Sequence, residues 1–329
     1  IMGSVREILG SGTWMGLDIP FINEPMSVFV MSAGGFFVLG VVIALVNKIA
    51  GKKPPQKIGC AGCPNAANCA GRKGGTVMTK SKVFFTREIT PSAVVGLYCA
   101  LGIELPGKVA VKLHSGEPGN QNFIHPDFWK PAIDLVGGTM IECNTAYDGG
   151  RNTTEKHLKT MQQHGWSDSF PVDILDAEGE VALPVHGGKH LTVNYVGDHM
   201  ANYDSMLVLS HFKGHPMGGF GGALKNISIG LASSHGKAVI HGAGDPEKFW
   251  DADHDSFLES MAEAAQTILE FFRGKMAFIN VMCNMSVDCD CCAVAADPKI
   301  SDIGILASLD PVALDQACVD LVYASDDPG

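Results

Sequence analysis

Between residues 206 and 226 an apolar run, Met206 to Leu209, delivers Ser210, His211, Lys213 and His215 into a segment with Gly218, Gly219, Gly221 and Gly222. Lys225 and Asn226 close it. Imidazoles move protons near neutral pH or ligate metals. Glycines let a backbone approach a ligand closely, and open α/β sheets bind ligands at the carboxyl ends of strands. His215, Lys225 and, further on, His241 are therefore the candidate catalytic residues. His211, Lys213, Arg151 and the four glycines are the candidate cofactor-binding set. The competing reading is a tight strand–loop–helix connection with solvated His and Lys. The G-x4-G-K-[ST] pattern is absent, so the glycine segment is no self-contained phosphate cradle.

A second constellation is CNMSVDCDCC, with Cys283, Cys289, Cys291 and Cys292 interleaved with Asp288 and Asp290. Thiolates select zinc or iron–sulfur clusters. Cys289 and Cys291 are the expected ligands, with Cys283 and Cys292 as further candidates and His211 or His215 able to complete the set. Thiols buried in the core, or a metal-free redox pair, are the alternatives. Upstream, Cys60, Cys63 and Cys69 have C-x2-C-x5-C spacing, which suits a metal or cluster but supplies only three local thiols. A plain tail with reduced thiols is the alternative there.

These residues need a scaffold. Strand signals fall at 83–86, 108–113, 139–143, 172–175, 191–196, 206–209, 277–282 and 303–307. Helix signals fall at 91–101, 127–136, after Asn152 with Glu155 as a capping box, from Ser256 to a stop at Gly274, and at 312–323. Alternation over this length argues an α/β fold, a mainly parallel sheet with helices on both faces. The polar loops 114–122, 144–152 and 210–225 then converge on one edge, with Cys289 and Cys291 as the metal end.

Charge is uneven. The chain has 329 residues and a formal net charge of −11, yet residues 1–77 carry seven Lys/Arg against three acidic residues. The remainder is strongly acidic, which excludes the basic face a nucleic-acid binder needs. Residues 26–46 hold no charge, and a helix of that length crosses a bilayer core of about 30 Å. Lys48, Lys52, Lys53 and Lys57 follow, which puts the C-terminal side in the cytoplasm. A buried core helix is the other reading. Three regions result: a membrane segment with a transmembrane helix at 1–51, a Cys-containing linker at 52–77 and an α/β domain at 78–329. Met78 is a candidate separate translation start, and no closing element precedes Gly329, so the expectation is a further C-terminal part.

The segments VKLHSGEPGNQNF, ECNTAYDGGRNTTEKHL, LSHFKGHPMGGFGGALKNISIG, INVMCNMSVDCDC and DIGILASLDPVALDQACVDL resemble domain-of-unknown-function family 362 over residues 82–326. Its members are often described as uncharacterised iron–sulfur centre proteins. SVREILGSGTWMG and AGGFFVLGVVIALVNKI, within residues 1–50, resemble the C-terminus of the E-type membrane component of Rnf and Nqr electron-transport complexes. Such components carry their cluster on cysteines of earlier helices, and no Cys precedes Cys60, so that cofactor does not carry over. The spacing of His215, Lys225 and His241 is similar to the His/Lys/His arrangement of nickel-pincer lactate racemases, with Arg151 and His157 in a candidate corresponding loop. There a Lys holds a pyridinium-derived cofactor and a His binds nickel.

The leading expectation is a redox protein of the cell membrane, its large domain cytoplasmic and holding an iron–sulfur cluster or other thiolate-bound metal. Its partners are the membrane, other members of an Rnf-like ion-translocating electron-transport complex, and a small molecule or electron carrier. The alternatives are a metal- or nickel-pincer-like cofactor-dependent enzyme, racemase- or isomerase-like, on a small acid, and a non-catalytic metal-stabilised scaffold.

Overall fold

Burial on two faces explains the most apolar runs of the chain, because a parallel strand covered by helices on both sides has no wet side to keep polar. A computed structural model describes residues 80–325 and, apart from them, a pairing of Thr13–Trp14 with Leu17–Asp18. Residues 1–78 and 79–329 are separate units. In the second, β1 (Val83–Thr86) leads through α1 (Pro91–Leu101) to β2 (Val109–Lys112). Helix α2 (Pro126–Val136) precedes β3 (Thr139–Glu142), and α3 (Thr154–Gln163) and α4 (Trp166–Ser169) precede β4 (Val172–Ile174). A hairpin of β5 (Glu180–Pro184) and β6 (Val193–Gly197) follows, then β7 (Ser205–His211). A second hairpin, β8 (Lys213–His215) and β9 (Gly219–Gly221), runs into α5 (Ala223–Ser228), α6 (Ser234–His241) and α7 (His254–Phe271). Strands β10 (Met276–Met282) and β11 (Gly304–Ser308) and helix α8 (Pro311–Tyr323) complete the domain.

The main sheet has seven strands in the order β1-β11-β10-β7-β2-β3-β4. Every pairing is parallel except those of β11, which runs antiparallel to both neighbours. Side chains alternate between two cores. Leu207, Leu209, Ile279 and Val281 face the core shared with Val94 of α1, Trp129 of α2 and Trp166 of α4. Met206, Val208, Phe278 and Met282 face the core shared with Ile227 of α5, Ile268 of α7 and Leu314 of α8.

From β2 the chain moves outward to β3 and β4, then returns to lay β7 on the other side of β2 and β10 beyond it. The crevice between β2 and β7 is thus a topological switch point, where doubly wound sheets bind ligands. Asn226, just inside α5, ties it together. Its Nδ2 donates to the Leu209 carbonyl at 3.1 Å and the Ser210 hydroxyl at 3.0 Å.

Several sequence expectations need correction. β7 runs to His211, because pairing with β10 extends through Val281; Ser210 and His211 are strand residues, and the glycine segment beyond is the β8–β9 hairpin. The strand expected at 191–196 pairs with β5, outside the main sheet, and bridges Ala232 through Val196. Thr153 rather than Asn152 caps α3, its hydroxyl accepting from Lys156 N, while Asn152 bonds the Asp148 and Lys156 side chains. Helix α7 begins at His254, ahead of Ser256, and is capped by Asp253. The expected membrane span at 26–46 and the thiols Cys60, Cys63 and Cys69 lie outside the described residues. Among the described residues no helix is long and apolar enough to cross a membrane.

One long-range contact fixes the start of α5. Asp315 of α8 accepts from Ala223 N at 2.8 Å, Leu224 N at 2.9 Å and Asn280 Nδ2 at 2.7 Å. Burial raises its pKa against these donors. Asp315→Ala leaves buried donors unsatisfied, at about 1–3 kcal/mol each at most. The variant should unfold at lower urea concentration than the parent by an amount worth about 2 kcal/mol; an unchanged midpoint would show that the contact does not hold α5.

Candidate active site

The cleft at the switch point is lined from four strand ends: Lys112 and His114 after β2, Glu142 to Arg151 after β3, Ser210 to Lys225 after β7, and Cys289 and Cys291 after β10. Helix α6 adds Lys237 and His241, and Phe249 borders the mouth.

Two buried ion clusters build its walls. In the first, Asp290 accepts from His211 Nδ1 and Lys213 Nζ, both at 2.9 Å. Burial works to raise the Asp290 pKa, but the two cations outweigh it and hold the carboxyl well below the usual carboxylate range. His211 Nε2 meets the Cys283 carbonyl at 2.6 Å. Both of its ring nitrogens are therefore taken up by acceptors, and His211 has no lone pair for a metal. Gly214 lets β8 pass against the cysteine segment: its N–H donates to the Ser286 carbonyl at 2.8 Å, and a Cβ there would lie 2.4 Å from the Val287 oxygen.

In the second cluster Glu142 accepts from His157 Nε2 at 3.1 Å and Ser115 N at 3.1 Å, and closely from the Ser115 hydroxyl. Lys112 Nζ stands at 3.5 Å and Arg151 NH1 at 3.9 Å. Burial pushes Glu142 up, but Lys112 and His157 outweigh it, and its pKa is held well below the usual range. Lys112, entirely buried, is pushed down to about 8, because burial outweighs the attraction of Glu142 at that longer distance. Arg151 is held chiefly by Glu117 at 2.8 Å.

The thiol end has its own geometry. Ligand atoms of His215, Cys289 and Cys291 lie within 4.8 Å of one another, the first two residues buried. Cys289 is raised to about 11 by its hydrogen bond with Cys291 and by burial. Cys292 lies beside this group, outside the three that meet, and its bond with Cys291 lowers it to about 7. Cys283 points the other way, into the α1–α2 core, where burial raises it to about 12.

The histidines at the cleft differ in which nitrogen is free. His215 Nδ1 accepts from Gly218 N at 2.8 Å and Met217 N at 3.2 Å. In the neutral ring the proton then sits on Nε2, aimed toward Cys289. His241 Nδ1 donates to the Lys237 carbonyl at 2.7 Å, one turn back on α6. That leaves Nε2 as the lone-pair nitrogen of a cleft-lining ring. The ring stacks on Phe249 at 4.7 Å and Phe257 at 4.9 Å. Burial first, then Lys225 and Lys237, lower His241 to about 4, and burial and Lys225 lower His215.

Gly221 and Gly222 line the cleft beside Lys213 and Asp315, whereas Gly218 packs on the His215 ring and Gly219 is the exposed first residue of β9. Sequence reasoning missed Lys112, Glu142, Asp290 and Lys237. The signal was present for two of them: VAVK and TMIE are apolar strands that each end in a charge.

The fold and cleft together define an α/β domain with a cationic, thiol-bearing site at its strand switch point. The chain belongs to the family described as Domain of unknown function (DUF362), whose model matches residues 109–320. Among solved structures it is similar to the lactate racemase apoprotein from Thermoanaerobacterium thermosaccharolyticum, at 14% identity and a TM-score of 0.36 over 60% of this chain and 50% of that one. It is also similar to a Thermotoga maritima protein, at 12% identity and a TM-score of 0.44 over 72% of this chain and 60% of that one. The chain thus spans less than two thirds of either structure, and both likenesses are distant. No curated protein matches it.

The buried His241 has a consequence for stability. Its folded pKa, about 4, lies below the roughly 6.5 of an unfolded histidine. Above that value the ring is neutral in both states and contributes nothing. As pH falls from about 6.5 to about 4 the unfolded chain takes the proton first, so stability declines, by about 3 kcal/mol at most from this one group. Urea unfolding at pH 7 and pH 4.5 should show this loss, and His241→Gln should make it smaller; an equal loss in both proteins would refute the assignment.

Proposed function

We propose that this protein is a metal-dependent enzyme that moves a proton on a small organic acid. The observation that carries the reading is the pair of histidines acted on by the Lys225 charge, one offering a lone pair and the other an N–H. The Lys225 ammonium lines the cleft and makes no hydrogen bond or ion pair among the described residues. Lys225 receives the acid's carboxylate. His241 Nε2 takes a proton from the carbon beside it and returns it after rearrangement, so the protein ends unchanged. His215 Nε2–H donates a hydrogen bond to an oxygen of the substrate or to the Cys289 sulfur. A bound anion opposes the Lys225 charge and so raises His241 toward the range useful for a base.

The donor set fits a thiophilic metal in part. Cys289 and Cys291 would hold it, and His215 becomes a third ligand only by giving up its Nε2 proton, since backbone N–H groups occupy Nδ1. A metal there would supply positive charge to stabilise an electron-rich substrate.

The redox reading rests on the same thiols and on residues 1–77: a membrane-anchored, cytoplasmic domain serving an Rnf-like complex with an iron–sulfur cluster. Metal analysis and an optical spectrum of anaerobically purified full chain separate the two. The enzyme reading expects bound metal that falls by more than half in Cys289→Ser and Cys291→Ser. It also expects exchange of the carbon-bound hydrogen of a 2-hydroxy or 2-oxo acid in D2O, read by NMR, and its loss in His241→Gln. A folded, metal-free protein that exchanges no acid would sink it; iron with cluster absorption would favour electron transfer.

A further inference from the structure

Most of the cations at this cleft are answered by carboxylates. Arg151 has Glu117, Lys213 has Asp290, and Lys112 has Glu142. Lys237 is the buried exception. It is 7% exposed, yet its ammonium bonds only the Ala232 carbonyl, at 2.5 Å, and meets no carboxylate within ion-pair distance among the described residues. The acidic groups closest to it are committed elsewhere. Asp176 accepts from Asn144 N and Ser234 N, both at 2.9 Å, and Glu142 serves His157, Ser115 and Lys112. A buried ammonium short of partners is unfavourable unless something else supplies negative charge.

The surroundings leave space for that charge beside the reacting end. Lys237 and His241 stand at i and i+4 on α6, so they share a face, and both line the cleft with Gly230. Gly230 keeps this end open. A Cβ there would lie 2.1 Å from the Asn226 carbonyl oxygen and 2.6 Å from Lys112 Cε, so glycine lets the backbone turn closely here with the second cation packed against it.

We infer that Lys237, backed by Lys112, is a second anion subsite, and that the substrate is a dianion carrying one anionic group at Lys225 and another at Lys237. This rests on the reading of the cleft as the site for a small acid, and it narrows that acid to a dicarboxylate or a phosphorylated monocarboxylate. Both lysines line the cleft with His241 and both act on its ring, so an acid held by the two brings its carbon chain to the base.

Calorimetric titration of the full chain with acetate, malonate, succinate and 2-phosphoglycolate, at constant ionic strength, tests it. At least one dianion should bind tenfold or more tightly than acetate. Lys237→Met should reduce that dianion to the affinity of acetate and leave acetate unchanged, whereas Lys237→Arg should keep most of the preference. The carboxylate and phosphate arms show which anion the subsite takes. Dianions that bind no better than acetate would overturn the proposal without any variant, and so would an undiminished preference in Lys237→Met. The outcome is separable from the enzyme reading. Dianion preference that persists in a protein without metal or hydrogen exchange supports the subsite and removes the reaction; exchange of a dianionic acid unaffected by Lys237→Met removes the subsite alone.

Discussion

A single buried carboxylate, Asp290, decides where the thiols stand. It sits between Cys289 and Cys291 in sequence, and its oxygens bind His211 at the end of β7 and Lys213 at the start of β8. Its backbone carbonyl accepts from Glu117 N at 2.8 Å, which ties the same residue to the loop after β2. The ends of three strands thus meet at one residue. Removing one member of a buried ion cluster leaves the rest uncompensated, a cost of about 3–5 kcal/mol. The cysteine segment has no regular secondary structure to hold it, so this cluster takes the place of a helix or strand in aiming its side chains.

The charge of the molecule and the charge of its cleft have opposite signs. The chain is net −11, yet lysines and an arginine crowd the switch point. Low-dielectric walls focus such a field on the crevice, so the acidic exterior does not argue against an anionic ligand. It argues instead for a ligand small enough to leave the surface behind. The arrangement follows from topology: parallel strands bring their carboxyl ends to one edge, where Lys112 ends β2, Glu142 ends β3 and His211 ends β7.

Much of the scaffold was legible in the sequence. The strand at 83–86 and the helix at 91–101 coincide with the structure, because an apolar run and a Thr-Pro start with a glycine stop are local signals. The site was legible only where residue types were conspicuous. Imidazoles and thiols drew notice, but Asp290 read as a spacer between cysteines and Lys112 as an unremarkable strand residue. Their roles come from partners far along the chain, Glu142 for Lys112 and His211 for Asp290. The short helix α6 was missed because its eight residues, SHGKAVIH, hold too few apolar positions to show a period, and Lys237 went with it. The direction of Cys283 was equally invisible, since it follows from strand alternation in β10.

The bond from Asp315 to the start of α5 also bears on biosynthesis. Lys225 lies on a helix of six residues whose first N–H group is held by a residue 92 positions later in the chain. While the protein emerges from the ribosome, β1 to β10 are available before that anchor is. The cleft therefore acquires its fixed lysine only when α8 docks, and a nascent or C-terminally truncated chain presents the thiols without the charge that faces them.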